Sequence, residues 1–117
     1  MAYINGTDET LNEHIAQSKL PILDDFWAPW CGPCKTIGPH VEKLSTSYSG
    51  RLTVIKINID TNTEVVTKLG IKSIPAIYTF VGGKKFEHLV GLPSNVTSQL
   101  EALAENAIKE DNKRKGN

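Results

Sequence analysis

Two hydrophobic periods alternate along the chain, and their alternation sets out the elements. "PILDDFWA" at 21–28 and "RLTVIKINI" at 51–59 are rich in β-branched and aromatic residues and read as strands. "AYI" at 2–4 is a short first strand. "IPAIYTFV" and "KKFEHLV" flank Gly82-Gly83, a two-residue hairpin signal. Helical spacing fills the intervals. "TDETLNEHIAQS" begins at Thr7, which can cap it, and puts Leu11 and Ile15 on one face. Ile37, Val41, Leu44 and Tyr48 form the stripe of a second helix, with Pro39 expected to bend it. "TNTEVVTKLG" is a short helix ended by Gly70. Ser94 is expected to cap a last helix whose Val96, Leu100, Leu103, Ala107 and Ile108 face inward.

The order β-α-β-α-β-α-β-β-α predicts an α/β domain, a central mixed five-stranded sheet flanked by four helices. Right-handed helical crossovers make the first three strands parallel, and the glycine hairpin makes the last two antiparallel neighbours. At 117 residues the chain supports one core, expected over 1–108. Residues 109–117, "KEDNKRKGN", are charge-dense and are expected to fray into solvent.

Charge narrows the function classes. Thirteen basic residues balance thirteen acidic ones, so no strong field favours nucleic acid or an anionic membrane. No stretch approaches the roughly 18 apolar residues of a membrane span. "MAYINGTDETLNEH" has no basic region followed by an apolar run, which is not a secretory signal. A cytoplasmic protein is expected, where thiols stay reduced unless they do redox work.

That expectation gives weight to Cys31 and Cys34, the two cysteines of the chain. A structural disulfide closing so short a loop would add only about 2 kcal/mol on the entropy model. Structural zinc wants four ligands, and His14, His40 and His88 show no paired spacing with the cysteines, so no metal is expected. Haem attachment needs a histidine where Lys35 stands. Redox chemistry fits the location best. Cys31 lies between a strand and a helix N-terminus, where unpaired N–H groups and the helix dipole stabilise a thiolate. Pro33 suits the first helical turn, and Cys34 lies within disulfide reach. A thiol near pKa 8.5 is only about 3% ionised at pH 7, and a drop of roughly 1.5 units makes it half thiolate.

With "WCGPCK" so placed, the chain resembles the thioredoxin family from about residue 3 to 108. "DFWAPWCGPCK" at 25–35, "VIKINID" at 54–60, "GIKSIP" at 70–75, "VGG" at 81–83 and "VGL" at 90–92 carry the likeness in order. The resemblance implies the thioredoxin fold and a protein-disulfide reductase. In it Cys31 is the exposed nucleophile, Cys34 the buried resolving thiol, and the two form the redox disulfide. It implies disulfide-containing substrate proteins and a thioredoxin reductase as partners, with a monomer as the default state. Flavin and NADPH belong to that reductase, and no cofactor is expected on this chain. A substrate groove is implied from Trp30, Gly32, Pro33, Ile74, a cis Pro75, Val90, Gly91 and Leu92. Trp27 reads as core packing rather than catalysis.

Two adjacent acids stand in the strand before the cysteines. Asp24 and Asp25 point to opposite faces of the sheet. Asp25 matches the family's buried aspartate, a proton acceptor and donor behind Cys34, tuned by Lys56. The plainer alternative is a salt bridge between Asp25 and Lys56. Asp24 departs from the family's usual aliphatic residue and is expected to find a partner, water or the protein edge, because an unpaired buried charge costs several kcal/mol. Ala76 departs too, where threonine is common.

Gly32-Pro33 argues against an oxidase or isomerase of the protein disulfide isomerase type, whose members usually carry histidine there, and against glutaredoxin. A non-enzymatic scaffold role is the remaining alternative.

Overall fold

A computed structural model describes residues 2–116. Five strands and four helices alternate in the expected order: β1 (Tyr3–Gly6), α1 (Asp8–Gln17), β2 (Ile22–Trp27), α2 (Gly32–Ser47), β3 (Thr53–Asn58), α3 (Thr63–Leu69), β4 (Ala76–Val81), β5 (Lys84–Val90) and α4 (Val96–Arg114). The sheet runs β1-β3-β2-β4-β5. β1 and β2 both lie parallel to β3, while β4 is antiparallel to β2 and β5 to β4. This is the mixed sheet that the element order predicts, in the arrangement of the thioredoxin fold that the resemblance implies.

Local chemistry explains several element ends. Thr7 and Thr10 form a reciprocal capping box at the start of α1. Gly70 ends α3 in the left-handed region. Gly82 and Gly83, at φ +60° and +83°, supply the two positive dihedrals that a tight turn between β4 and β5 demands. Helix α2 continues through Pro39 for sixteen residues.

Strand β2 is buried along almost its whole length, as the centre of a sheet covered on both faces must be. On one face Leu23, Val54 and Ile77 meet Ile37, Val41 and Leu44 of α2 and Leu100, Leu103 and Ala104 of α4. On the other, Ile22, Phe26, Ile55, Ile57, Tyr78 and Phe80 meet Leu11 of α1 and Val65 of α3. Each fully buried aliphatic or aromatic side chain in these layers stabilises the fold by roughly 1.5–3 kcal/mol.

Two expectations at the last helix change. Asn95, not Ser94, occupies the cap position of α4, and its side chain makes no capping hydrogen bond. The segment expected to fray from residue 109 instead continues α4 to Arg114. Asp111 is the reason. It is buried, and it binds Arg114 at 3.0 Å and Lys115 at 2.8 Å, one helical turn away. Lys115 also donates to the carbonyl of Lys19 at 2.6 Å. The side chain of Arg114 covers Gly82, where an added Cβ would lie 2.5 Å from its Cδ. The last turn of α4 thus fastens the β4–β5 hairpin and the α1–β2 connection at the end of the sheet away from the cysteines. Met1 and Asn117, included in the expected domain and tail, lie outside the described residues.

Candidate active site

The site forms where β2 ends and α2 begins. Cys31 is the N-cap of α2, in extended backbone conformation, and its Sγ accepts the amide N–H of Cys34 at 3.2 Å. Gly32 and Pro33 form the first turn and are exposed. Proline is favourable there because the missing N–H would have had no helical acceptor. Cys34 follows within the same turn, and the two cysteines are joined in a disulfide with Cα atoms 5.3 Å apart.

The exposed Cys31 expected from the resemblance is not what this oxidised form presents. Cys31 and Cys34 are each 5% exposed. They pack with Ala28 under Trp27, Ile59 and Ile74. Their environments differ in another way. Cys34 lines a cavity of about 300 Å³ with Asp25, Trp27, Pro29, Gly38, Glu42 and Lys56, and Cys31 does not.

Asp25 is fully buried, and neither carboxylate oxygen has a hydrogen-bond partner among the described residues. It stands opposite Lys56 in the β2–β3 register. The ion pair weighed between them does not form. Lys56 Nζ instead binds Glu42 Oε2 of α2 at 2.5 Å and lies 5.3 Å from the ring centre of Tyr3 and 6.0 Å from that of Trp27. Burial pushes the Asp25 carboxyl up to about 6; nearby Lys56 pulls it down and Glu42 pushes it up. Glu42 carries no sequence signal as a site residue. Its position on α2, eight residues after Cys34, was visible, but its approach to Lys56 depends on how α2 lies on the sheet.

Of the remaining expected residues, Ile74 packs directly against the pair. Trp30 is 67% exposed, and its indole N–H donates to Asp60 at 3.1 Å. The Ile74–Pro75 peptide bond is cis. Gly91 N–H donates to the Pro75 carbonyl at 2.8 Å, joining the β5 end to the proline loop. Val90 and Leu92 are exposed apolar side chains on that border. Trp27 is half-buried, and its indole N–H has no partner among the described residues.

A family model described as Thioredoxin matches residues 2–106, nearly the whole chain. The chain belongs to the thioredoxin family. It is 43% identical over 94 residues to thioredoxin 1 of Nostoc sp., covering 80% of this chain and 88% of that one. Thioredoxin of Synechocystis sp. is 41% identical over 91 residues, covering 78% and 85%. A thioredoxin M-type, chloroplastic, of Chlamydomonas reinhardtii is 42% identical over 90 residues, covering 77% and 64%.

As a thioredoxin carrying its Cys31–Cys34 pair, the protein is a dithiol–disulfide oxidoreductase. Membership implies disulfide substrates and a reductase partner in general terms. The redox group is the protein's own disulfide. Among the described residues no group of three or more His, Cys, Asp or Glu is arranged to hold a metal ion, and no helix is long and apolar enough to cross a membrane.

Proposed function

We propose that the protein works as a protein-disulfide reductase, with Cys31 as nucleophile, Cys34 as resolving thiol and Asp25 as the proton acceptor for Cys34. The cavity shared by Asp25 and Cys34, but not Cys31, carries this division of labour. In the reduced enzyme the N-terminus of α2 favours the thiolate of Cys31. That thiolate attacks one sulfur of a substrate disulfide; a mixed disulfide forms, and the other substrate sulfur leaves and takes a proton. Cys34 then gives its proton to Asp25, through the cavity, and attacks Cys31. The second substrate thiol leaves, and the enzyme holds the Cys31–Cys34 disulfide, two electrons having passed to the substrate.

A carboxyl raised to about 6 suits this role near neutral pH, because it is ionised yet basic enough to take a thiol proton. Burial sets that basicity, with Lys56 lowering it and Glu42 raising it. Trp30, Gly32, Pro33, Ile74, Pro75, Val90, Gly91 and Leu92 form the docking groove. Pro75 lacks an N–H, which leaves an open approach beside Cys31, where an extended substrate segment pairs with neighbouring backbone groups.

A thioredoxin reductase, with its own flavin and NADPH, returns the pair to the dithiol. The protein acts as a monomer in the cytoplasm, where the glutathione pool keeps other thiols reduced. The test combines insulin reduction with the redox potential of the pair. A potential well below the cytosolic glutathione poise supports a reductant. A potential near or above it supports an oxidase, since about 30 mV changes the two-electron equilibrium tenfold.

A further inference from the structure

Asp24 has no part in the redox site, yet it is a fully buried acid. It sits in the middle of the central strand β2, flanked in register by Ile55 of β3 and Tyr78 of β4. It is 0% exposed, and neither oxygen has a hydrogen-bond partner among the described residues. The expected protein partner is not found among the described residues, and the strand lies at the centre of the sheet rather than at the protein edge. Alternation along β2 puts its side chain on the face of Ile22 and Phe26, the layer closed by α1 and α3.

The groups facing it from each packed element are apolar or neutral. Helix α1 presents Leu11 and Ile15, and α3 presents Val65, Val66 and Leu69. Strand β3 presents Ile55 and Ile57, and β4 presents Ala76, Tyr78 and Phe80. Strand β5 brings His88 and Lys85 only to the ring of Tyr78, at 5.3 and 5.8 Å. On α1, Glu9 and Glu13 face solvent, and Asp8 and His14 are half-buried; on α3, Glu64 and Lys68 face solvent. Asp8 is occupied by the amides of Glu64 and Val65. Among the described residues no cation compensates a charge at Asp24, and its neighbour in the chain is another acid, Asp25.

An ionised carboxylate in such a place would be desolvated with nothing to offset it, whereas a neutral carboxylic acid is far less costly. We propose that folded Asp24 is held as a neutral carboxylic acid, and that this buried proton is a structural component whose loss on the alkaline side loosens the fold. Burial first, and the charge of Asp25 second, raise its carboxyl well above the ordinary value. A carboxyl raised in the folded state contributes stability that is complete below the unfolded value of about 4 and lost as pH rises through the folded one. Asp25 contributes in the same direction only up to about 6. Above that, Asp24 alone among these two still releases a proton on unfolding, and the folding equilibrium constant falls up to about tenfold per pH unit.

The redox reading does not enter this inference, so the experiment keeps the disulfide oxidised throughout. Infrared spectra of the folded protein at about pH 8 are expected to show a protonated-carboxyl band that persists in Asp25→Asn and vanishes in Asp24→Asn. Denaturant titrations between about pH 6.5 and 8.5 are expected to show the wild type losing stability relative to Asp24→Asn and Asp24→Val, up to tenfold in equilibrium constant per pH unit. Absence of the band from the wild type, or its loss in Asp25→Asn, overturns the inference whatever the variants do. Parallel pH dependence in wild type and either Asp24 variant overturns it equally.

Discussion

Lys56 faces Asp25 across the β2–β3 register but gives its ammonium to Glu42, at 2.5 Å. That choice leaves the buried Asp25 carboxyl without a direct partner, so desolvation outweighs the attraction of Lys56 and the group sits at about 6. A direct ion pair would have driven it the other way, toward a carboxylate too weakly basic to help a thiol. The two residues are thus close enough to interact and separate enough for Asp25 to remain a base.

Asp25→Asn removes the acceptor. Resolution of the mixed disulfide is expected to slow by roughly a hundredfold near neutral pH, the low end of general-base contributions. In the wild type the ionised fraction of Asp25 rises as pH passes through about 6, so the resolution rate should climb between pH 5 and 7 and that climb should be lost in the variant. Stopped-flow measurement of resolution against pH checks this; an unchanged profile removes Asp25 from the mechanism.

The same substitution is expected to stabilise the fold at neutral pH. Asp25 is raised from 3.8 to about 6, which corresponds to at most about 3 kcal/mol. Because the folded value is the higher one, that stability is present below about pH 4 and lost by about pH 6 to 7. Denaturant unfolding of wild type and Asp25→Asn should therefore diverge with rising pH across that window, and curves that stay parallel contradict the assignment.

Glu42→Gln removes a charge that raises Asp25 and releases Lys56, which lowers it. Both changes act in one direction. The pH profile of resolution is expected to move to lower pH, with the disulfide still formed. A shift to higher pH would mean that Lys56 does not turn toward Asp25 and that the carboxyl answers to something else.

Much of this architecture could be read from the residues. Alternating apolar positions located β3, the Ile37–Tyr48 stripe located α2, and Gly82-Gly83 located the hairpin, because each depends on local geometry. The cysteine pair and Asp25 were legible for the same reason: a strand end, a helix start and side-chain alternation fix their faces. What escaped depended on partners distant in the chain. Lys56 lies 14 residues from Glu42, and only the packing of α2 on the sheet decides that they meet. Asp24 reads identically in a central strand and at an edge. The end of α4 is different, since Asp111 with Arg114 and Lys115 at i+3 and i+4 was a visible helix signal that the charge density of the segment obscured.

Asp111→Asn tests that clasp. Burial alone would raise the Asp111 carboxyl, but hydrogen bonds and charge from Lys115 and Arg114 outweigh it and hold the group below its ordinary value. The stability it contributes is therefore present above about pH 4 and lost as pH falls through the lower folded value. The variant is expected to lose about 1–3 kcal/mol at pH 7, measured by denaturant unfolding, with disulfide reductase activity unchanged. Equal stability at pH 7 would mean that the last turn of α4 contributes nothing to the fold.

The division of roles between the cysteines is tested most directly by the rate at which each is alkylated in the reduced protein at neutral pH, resolved by peptide mass. Cys31, capping α2, is expected to react faster than Cys34 and faster than a thiol in an unstructured peptide. Labelling of Cys31 at the peptide rate or below it, or no faster than Cys34, would contradict the account.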